Sequence, residues 1–169
     1  MSRLHWIEGV PGRLTIMARP RAGDWLEIDV AEWKSSGVDM VISLLEQEEV
    51  SELGLQREPE LCGAIGIEFI SFPIPDRGVP AISRDLRSLV RSIAGVVAGG
   101  RSVAVHCRAG IGRSSIIAAC AMIALGMDAA EALVSIGQAR GLSVPDAEQQ
   151  REWVMAFRAG DEGCVACQP

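Results

Sequence analysis

Twelve consecutive residues, 116–127 (IIAACAMIALGM), carry no charged side chain. A run this short cannot cross a bilayer, which takes about 20 apolar residues in a helix. It therefore reads as a buried helix, and a fold that holds it needs other layers to cover it. The flanking sequence supplies them. Residues 102–106 (SVAVH), just upstream, form an apolar, β-branched run of the kind found in buried parallel strands. Residues 38–45 (VDMVISLL) are a second such run, and residues 67–74 alternate toward another strand that stops at Pro73 and Pro75. Residues 12–18 look like an edge strand closed by Arg19-Pro20. Helical segments are expected between them: 24–35, ended by Gly37, an acidic stretch at 46–54, and 83–97, with Leu86, Leu89, Val90, Ile93 and Val97 at helical spacing. Helices at 111–125, 128–140 and 145–159 follow, with Pro145 suited to a first helical position. Strands alternating with helices predict an α/β fold with a central, mainly parallel sheet of about four to five strands flanked by helices.

The chain has 169 residues, enough for one ordinary domain, and shows no internal repeat or linker. Residues 1–160 are therefore expected to be a single domain and residues 161–169 a mobile tail. Cys164 and Cys167 form a CxxC in that tail without a second pair or a nearby histidine, so no metal is expected there. The N-terminal MSRLHWIEG has no apolar core of a secretory signal, which points to the cytoplasm and to free thiols. The net charge of −6 argues against sequence-independent nucleic-acid binding, which needs a basic face. There is one lysine, Lys34, so fifteen of the sixteen basic residues are arginine, the side chain suited to bidentate phosphate recognition.

The chemistry concentrates in residues 103–115, VAVHCRAGIGRSS. A buried strand runs into His106-Cys107, then a tight loop with Gly110 and Gly112, then Arg113 at the head of the apolar helix. Glycines let backbone amides approach a ligand closely. A helix N-terminus favours an anion and lowers a thiol pKa, and Arg113 offers a fork for two phosphate oxygens. Cys107 is then placed as a thiolate nucleophile beneath a bound phosphorus. Chance alone gives about 0.4 occurrences of Cys-x5-Arg in this composition; the histidine, the two glycines and the following Ser114 make the pattern specific.

HCRAGIGRS resembles the phosphate-binding loop of the cysteine-dependent protein tyrosine phosphatase superfamily, His-Cys-x5-Arg-Ser/Thr, and residues 13–80 resemble the kinase-associated-phosphatase-like members of its small dual-specificity branch. The resemblance implies the phosphatase fold and a set of roles. Cys107 is the nucleophile. Arg113 binds the phosphate and the transition state, and the loop Arg108, Ala109, Gly110, Ile111, Gly112 and Arg113 cradles it. His106 lies behind the cysteine and tunes it, and Ser114 helps the thiolate leave. Ile74-Pro75-Asp76 resembles the general-acid loop, with Asp76 as acid and then base; Pro73, Gly78 and Pro80 make it a hinged flap. In VPDAEQQREWV, Gln150, with Gln149 as fallback, is in register to orient the hydrolytic water. Arg140 is expected as a structural ion-pair partner. The acidic run Glu46-Gln47-Glu48-Glu49 reads first as a solvated helix start; a second reading has one of these glutamates orienting Arg113.

The chain contains no tyrosine and has Ile-Pro-Asp rather than Trp-Pro-Asp. By the resemblance, a tyrosine walls the deep pocket of tyrosine-specific enzymes. A shallower pocket is therefore expected, open to phosphotyrosine and to phosphoserine or phosphothreonine on a phosphorylated protein. Arg77 and Arg108 keep a phosphoinositide or inositol phosphate substrate as the alternative. A sulfurtransferase-like enzyme and a non-catalytic phosphate-binding module are remoter readings, separated by Asp76 and by the intact Cys107–Arg113 pair. No cofactor, metal, nucleic acid or membrane span is expected, and the sequence sets no oligomeric state.

Overall fold

The computed structural model describes residues 3–160. Its elements run β1 (His5–Ile7), β2 (Arg13–Ala18), α1 (Asp24–Ser35), β3 (Met40–Ser43), α2 (Gln47–Glu52), α3 (Glu58–Ala64), β4 (Glu68–Ser71), α4 (Arg84–Ala98), β5 (Ser102–Cys107), α5 (Arg113–Ala124), α6 (Ala129–Arg140) and α7 (Glu148–Ala156). The strands form one five-stranded sheet in the order β1-β2-β5-β3-β4. β1 pairs antiparallel with β2, and all other pairings are parallel. This is the α/β architecture that the alternation of strands and helices demands.

Strand alternation divides the core in two. Met40 and Ile42 of β3, with Val103, Val105 and Cys107 of β5, join a cluster with α4, α5, α6 and α7. Val41 and Ala104 turn the other way, against Leu26, Val30 and Trp33 of α1 and Cys62 of α3. The apolar run forms α5, in which Arg113 through Met122 are all buried. Local chemistry sets several helix ends. Ser83 accepts from the Leu86 N–H at the start of α4, and Asp128 accepts from the Ala130 N–H at the start of α6. Among the described residues no helix is long and apolar enough to cross a membrane.

Three sequence expectations need correction, and one helix has no counterpart among them. The strand at 12–18 is interior, because β1 covers it; three residues of HWI are too short to show a strand period. α3 went unread, although Pro59 sits in its first turn, where proline is tolerated. The helix expected from 145 begins at Glu148, and Pro145 follows a cis peptide bond rather than opening the helix. α5 begins at Arg113, not 111, because residues 108–112 form the loop. The tail at 161–169, with Cys164 and Cys167, lies outside the described residues.

Because α5 is enclosed by both neighbouring helices and the sheet, it tolerates no loss of volume. Ile117→Ala is expected to cost about 2–5 kcal/mol through lost burial and the cavity left behind. Urea denaturation checks this: the midpoint falls while the slope is unchanged.

Candidate active site

Parallel strands present their C-terminal ends on one edge, where ligand sites of α/β sheets lie. Cys107 ends β5 on that edge and is 3% exposed. The loop after it is held from outside. Arg140 Nε donates to Gly110 O at 3.0 Å and Arg140 Nη2 to Ala109 O at 3.3 Å. The Arg19 N–H donates to Arg108 O at 3.3 Å. In a trans peptide the carbonyl and the next N–H point opposite ways, so the amides of Ala109, Gly110 and Ile111 turn away from those donors and toward the cleft. Gly110 is indispensable: its φ is +67°, and a Cβ there would stand 2.6 Å from the Ala18 nitrogen. Arg140 thus acts on two loop carbonyls rather than as the expected ion-pair partner.

Cys107 Sγ donates to Ser114 Oγ at 3.6 Å, which places the hydroxyl against the sulfur. His106, by strand alternation, faces away from the cleft. Its ring lies 6.4 Å from that of Trp33, and its Nε2 is 2.9 Å from Glu58 Oε1. That pair is within ion-pair distance but off hydrogen-bonding angle, since neither atom counts a hydrogen-bond partner. The other two described cysteines are enclosed. Burial and then Glu58 push the Cys62 thiol up to about 12, and burial likewise raises Cys120.

Arg113 is 3% exposed, and its fork is filled on one side by Glu49. Nη1 donates to Glu49 Oε2 at 2.6 Å and Nη2 to Oε1 at 2.9 Å, while Nη1 also reaches Leu44 O at 3.3 Å and Ile74 O at 2.9 Å. Of the five guanidinium N–H groups, the Nε edge faces a ligand, and Nη2 on its outer side lies 3.2 Å from Asp76 Oδ1. The acidic run is therefore not simply a solvated helix start: Glu49 is buried and orients Arg113, the second reading of that run. The Arg113 hydrogen bonds outweigh burial and hold the Glu49 carboxyl below the usual range. Burial works against the Arg113 charge, but Glu49, Cys107 and Asp76 hold the guanidinium more firmly protonated than usual.

Asp76 is brought to the same place by the stretch after β4. Its Oδ1 lies 3.2 Å from Arg113 Nη2, and its backbone N–H donates to Glu46 Oε2 at 3.1 Å. Gln150, not Gln149, is buried, and its Nε2 donates to Gly78 O at 2.9 Å. A Cβ on Gly112 would stand 2.6 Å from Gln150 Oε1, so this amide is wedged between the Asp76 loop and the Cys107 loop. Asp76, Arg77, Cys107, Arg108, Arg113 and Gln150 line a cleft of about 300 Å³. Arg108 is engaged on its rim, with Nη2 2.8 Å from Glu52 Oε1 and Nη1 3.8 Å from Glu49 Oε1. Glu46, Glu49 and Glu52 all reach the site, and only the position of the run just after a strand hinted at it.

A family model described as "Swiss Army Knife protein, DSP-PTPase phosphatase domain" matches residues 1–161. Cyclin-dependent kinase inhibitor 3 of Rattus norvegicus is 28% identical over 135 residues, which cover 79% of this chain and 63% of that protein. The chain thus spans under two thirds of that relative's length. The solved structure of kinase associated phosphatase, with its catalytic-site cysteine changed to serine, superposes with a TM-score of 0.82 at 21% identity, covering 90% of this chain and 92% of the other. PTPMT1 in complex with PI(5)P gives 0.68 at 22% identity, covering 84% and 87%.

Breaking the Arg113–Glu49 pair leaves a buried charge uncompensated, so Glu49→Gln is expected to cost about 3–5 kcal/mol at neutral pH. The folded pKa of Glu49 is lowered, so its contribution is full above the unfolded carboxyl pKa of about 4.3 and is lost as pH falls through the lower folded value. Denaturation from pH 7 to pH 3 should show the two proteins converging at the acid end.

Proposed function

The chain belongs to the Swiss Army Knife family of dual-specificity phosphatase domains, and we propose that it is a cysteine-dependent phosphoprotein phosphatase that hydrolyses phosphotyrosine and also phosphoserine or phosphothreonine. The observation that carries this reading is convergence. A strand end, a helix start and a separate loop bring Cys107, Arg113 and Asp76 to one cleft.

In the first step the Cys107 thiolate attacks phosphorus. An S–P bond forms as the P–O bond to the substrate breaks, and protonated Asp76 gives its proton to the leaving oxygen. The loop amides from Arg108 to Arg113 and the Nε–Nη2 edge of Arg113, where the phosphate displaces Asp76, hold the phosphoryl oxygens as charge shifts onto them. In the second step water attacks phosphorus, Asp76 takes a proton from it, and the S–P bond breaks. Ser114 donates to the departing thiolate, and Gln150 orients the water. His106 supports the loop from behind. No cofactor enters this scheme. A thiolate nucleophile survives where thiols stay reduced, which is the basis for placing the enzyme in the cytoplasm.

The engagement of Arg108 by Glu52 and Glu49 favours a single phosphate over a polyphosphorylated inositol. The phosphoinositide reading rests on Arg77 at the rim and on the likeness to PTPMT1 bound to PI(5)P.

Cys107→Ser should lower turnover of an aryl phosphate by at least about 1,000-fold while inorganic phosphate still binds by calorimetry; wild-type rates in this variant would sink the mechanism. Vanadate should inhibit as a five-coordinate mimic. A panel of phosphotyrosine peptides, phosphothreonine peptides and inositol phosphates decides the substrate class: faster turnover of peptides is expected, and preference for inositol phosphates would reverse the order of the two readings.

A further inference from the structure

Glu46 takes no part in the chemistry above, yet its side chain reaches the acid loop. It is half-buried at the start of α2. Glu46 Oε2 accepts the Asp76 backbone N–H at 3.1 Å, joining two segments 30 residues apart. The Glu46 N–H donates to Glu49 Oε2 at 3.0 Å, and that same oxygen takes Arg113 Nη1 at 2.6 Å. One helix start therefore ties the peptide that carries the acid to the guanidinium that would hold the phosphate.

The loop needs such a tie. Asp76 is 54% exposed, and among the described residues its carboxylate is fixed by Arg113 Nη2 alone. A phosphate dianion entering the cradle competes for that Nη2 edge, so this contact cannot position the acid during reaction. The Glu46 bond is made to the backbone of Asp76 and is untouched by that competition. It is also charge-assisted, and so stronger than the neutral bond from Gln150 to Gly78 O. Proton transfer requires the acid within hydrogen-bond reach of the leaving oxygen, and small misplacements are costly.

We propose that Glu46 is a positioning residue that holds Asp76 over the cleft for proton transfer. The proposal rests on the phosphatase reading with Asp76 as the acid. Leaving groups separate this role from a merely structural one, because only poor leaving groups need the proton.

Glu46→Ser keeps a helix-capping oxygen but is too short to reach Asp76. It should lower kcat for phenyl phosphate about tenfold, and for p-nitrophenyl phosphate less than about threefold, with KM unchanged for both. Glu46→Gln keeps the length and an acceptor oxygen and should restore most of the loss. Glu46→Asp, one methylene shorter, should repeat the pattern at smaller amplitude and serves if the serine variant does not fold. Combined with Asp76→Asn, Glu46→Ser should add no further loss, because it acts through Asp76. An equal fall for both leaving groups, or a loss that multiplies on top of Asp76→Asn, overturns the proposal and leaves Asp76 as the acid. A wild type that turns over neither phosphate, or an Asp76→Asn variant with unaltered leaving-group dependence, overturns the underlying reading and the proposal with it.

Discussion

The buried pair of Arg113 and Glu49 is the interaction on which the arrangement of the site depends. A guanidinium that is 3% exposed is costly unless its donors are matched. Here the match comes from three separate pieces of chain: the Leu44 carbonyl after β3, Glu49 in α2, and the Ile74 carbonyl in the stretch after β4. Each can reach Arg113 only because β3 lies beside β5 and β4 beside β3 in the sheet. Strand order is thus what turns a local loop-and-helix motif into a site with a second wall. The same contact orients the fork, since a carboxylate bound across Nη1 and Nη2 leaves the Nε edge facing the loop amides.

Strand alternation divides the labour around Cys107. One face of β5 delivers Cys107 to the cleft beside α5; the next residue back, His106, goes to the α1–α3 side with Trp33 and Glu58. Adjacent residues in one motif therefore occupy opposite layers. His106, fully buried together with Glu58, is shielded from anything in the cleft. Cys62 and Cys120 are also enclosed, and burial keeps both thiols protonated. Of the cysteines described, Cys107 alone meets a helix N-terminus, a hydroxyl and an arginine together.

What could be read from the chain and what could not follows from sequence distance. The Cys107–Arg113 loop is written in seven adjacent residues, and the parallel sheet in two β-branched runs and one alternating stretch. Glu49 is 64 residues from its partner. Nothing local distinguishes it from Glu48, which stays exposed one position earlier; burial of a charge is decided by the element that packs over it, not by its neighbours in the chain. The resemblance implies an ion-pair role for Arg140, yet it satisfies carbonyls that a tight loop leaves without partners. β1 was missed because three residues hold too little periodicity, and its absence from the reading made β2 look like an edge. Gln150 lines the cleft, and its bond to Gly78 O joins two loops 72 residues apart, a separation no local pattern spans.

The two halves of the site are built to different stiffness. The Cys107 loop is pinned by Arg140, by the Arg19 amide and by the close backbone of Met17 and Ala18 at Gly110, so its amides are preorganised before any anion arrives. The Asp76 loop is more exposed and rests on a few long-range bonds: Glu46 to the Asp76 N–H, Arg113 to its carboxylate and Gln150 to Gly78 O. Segments with few buried contacts open at low free energy. The proposed reaction asks for both: a stiff cradle where charge is stabilised and a looser loop where a proton is carried. The two loops share α2 as their anchor, through Glu49 and Glu52 on the Cys107 side and Glu46 on the Asp76 side.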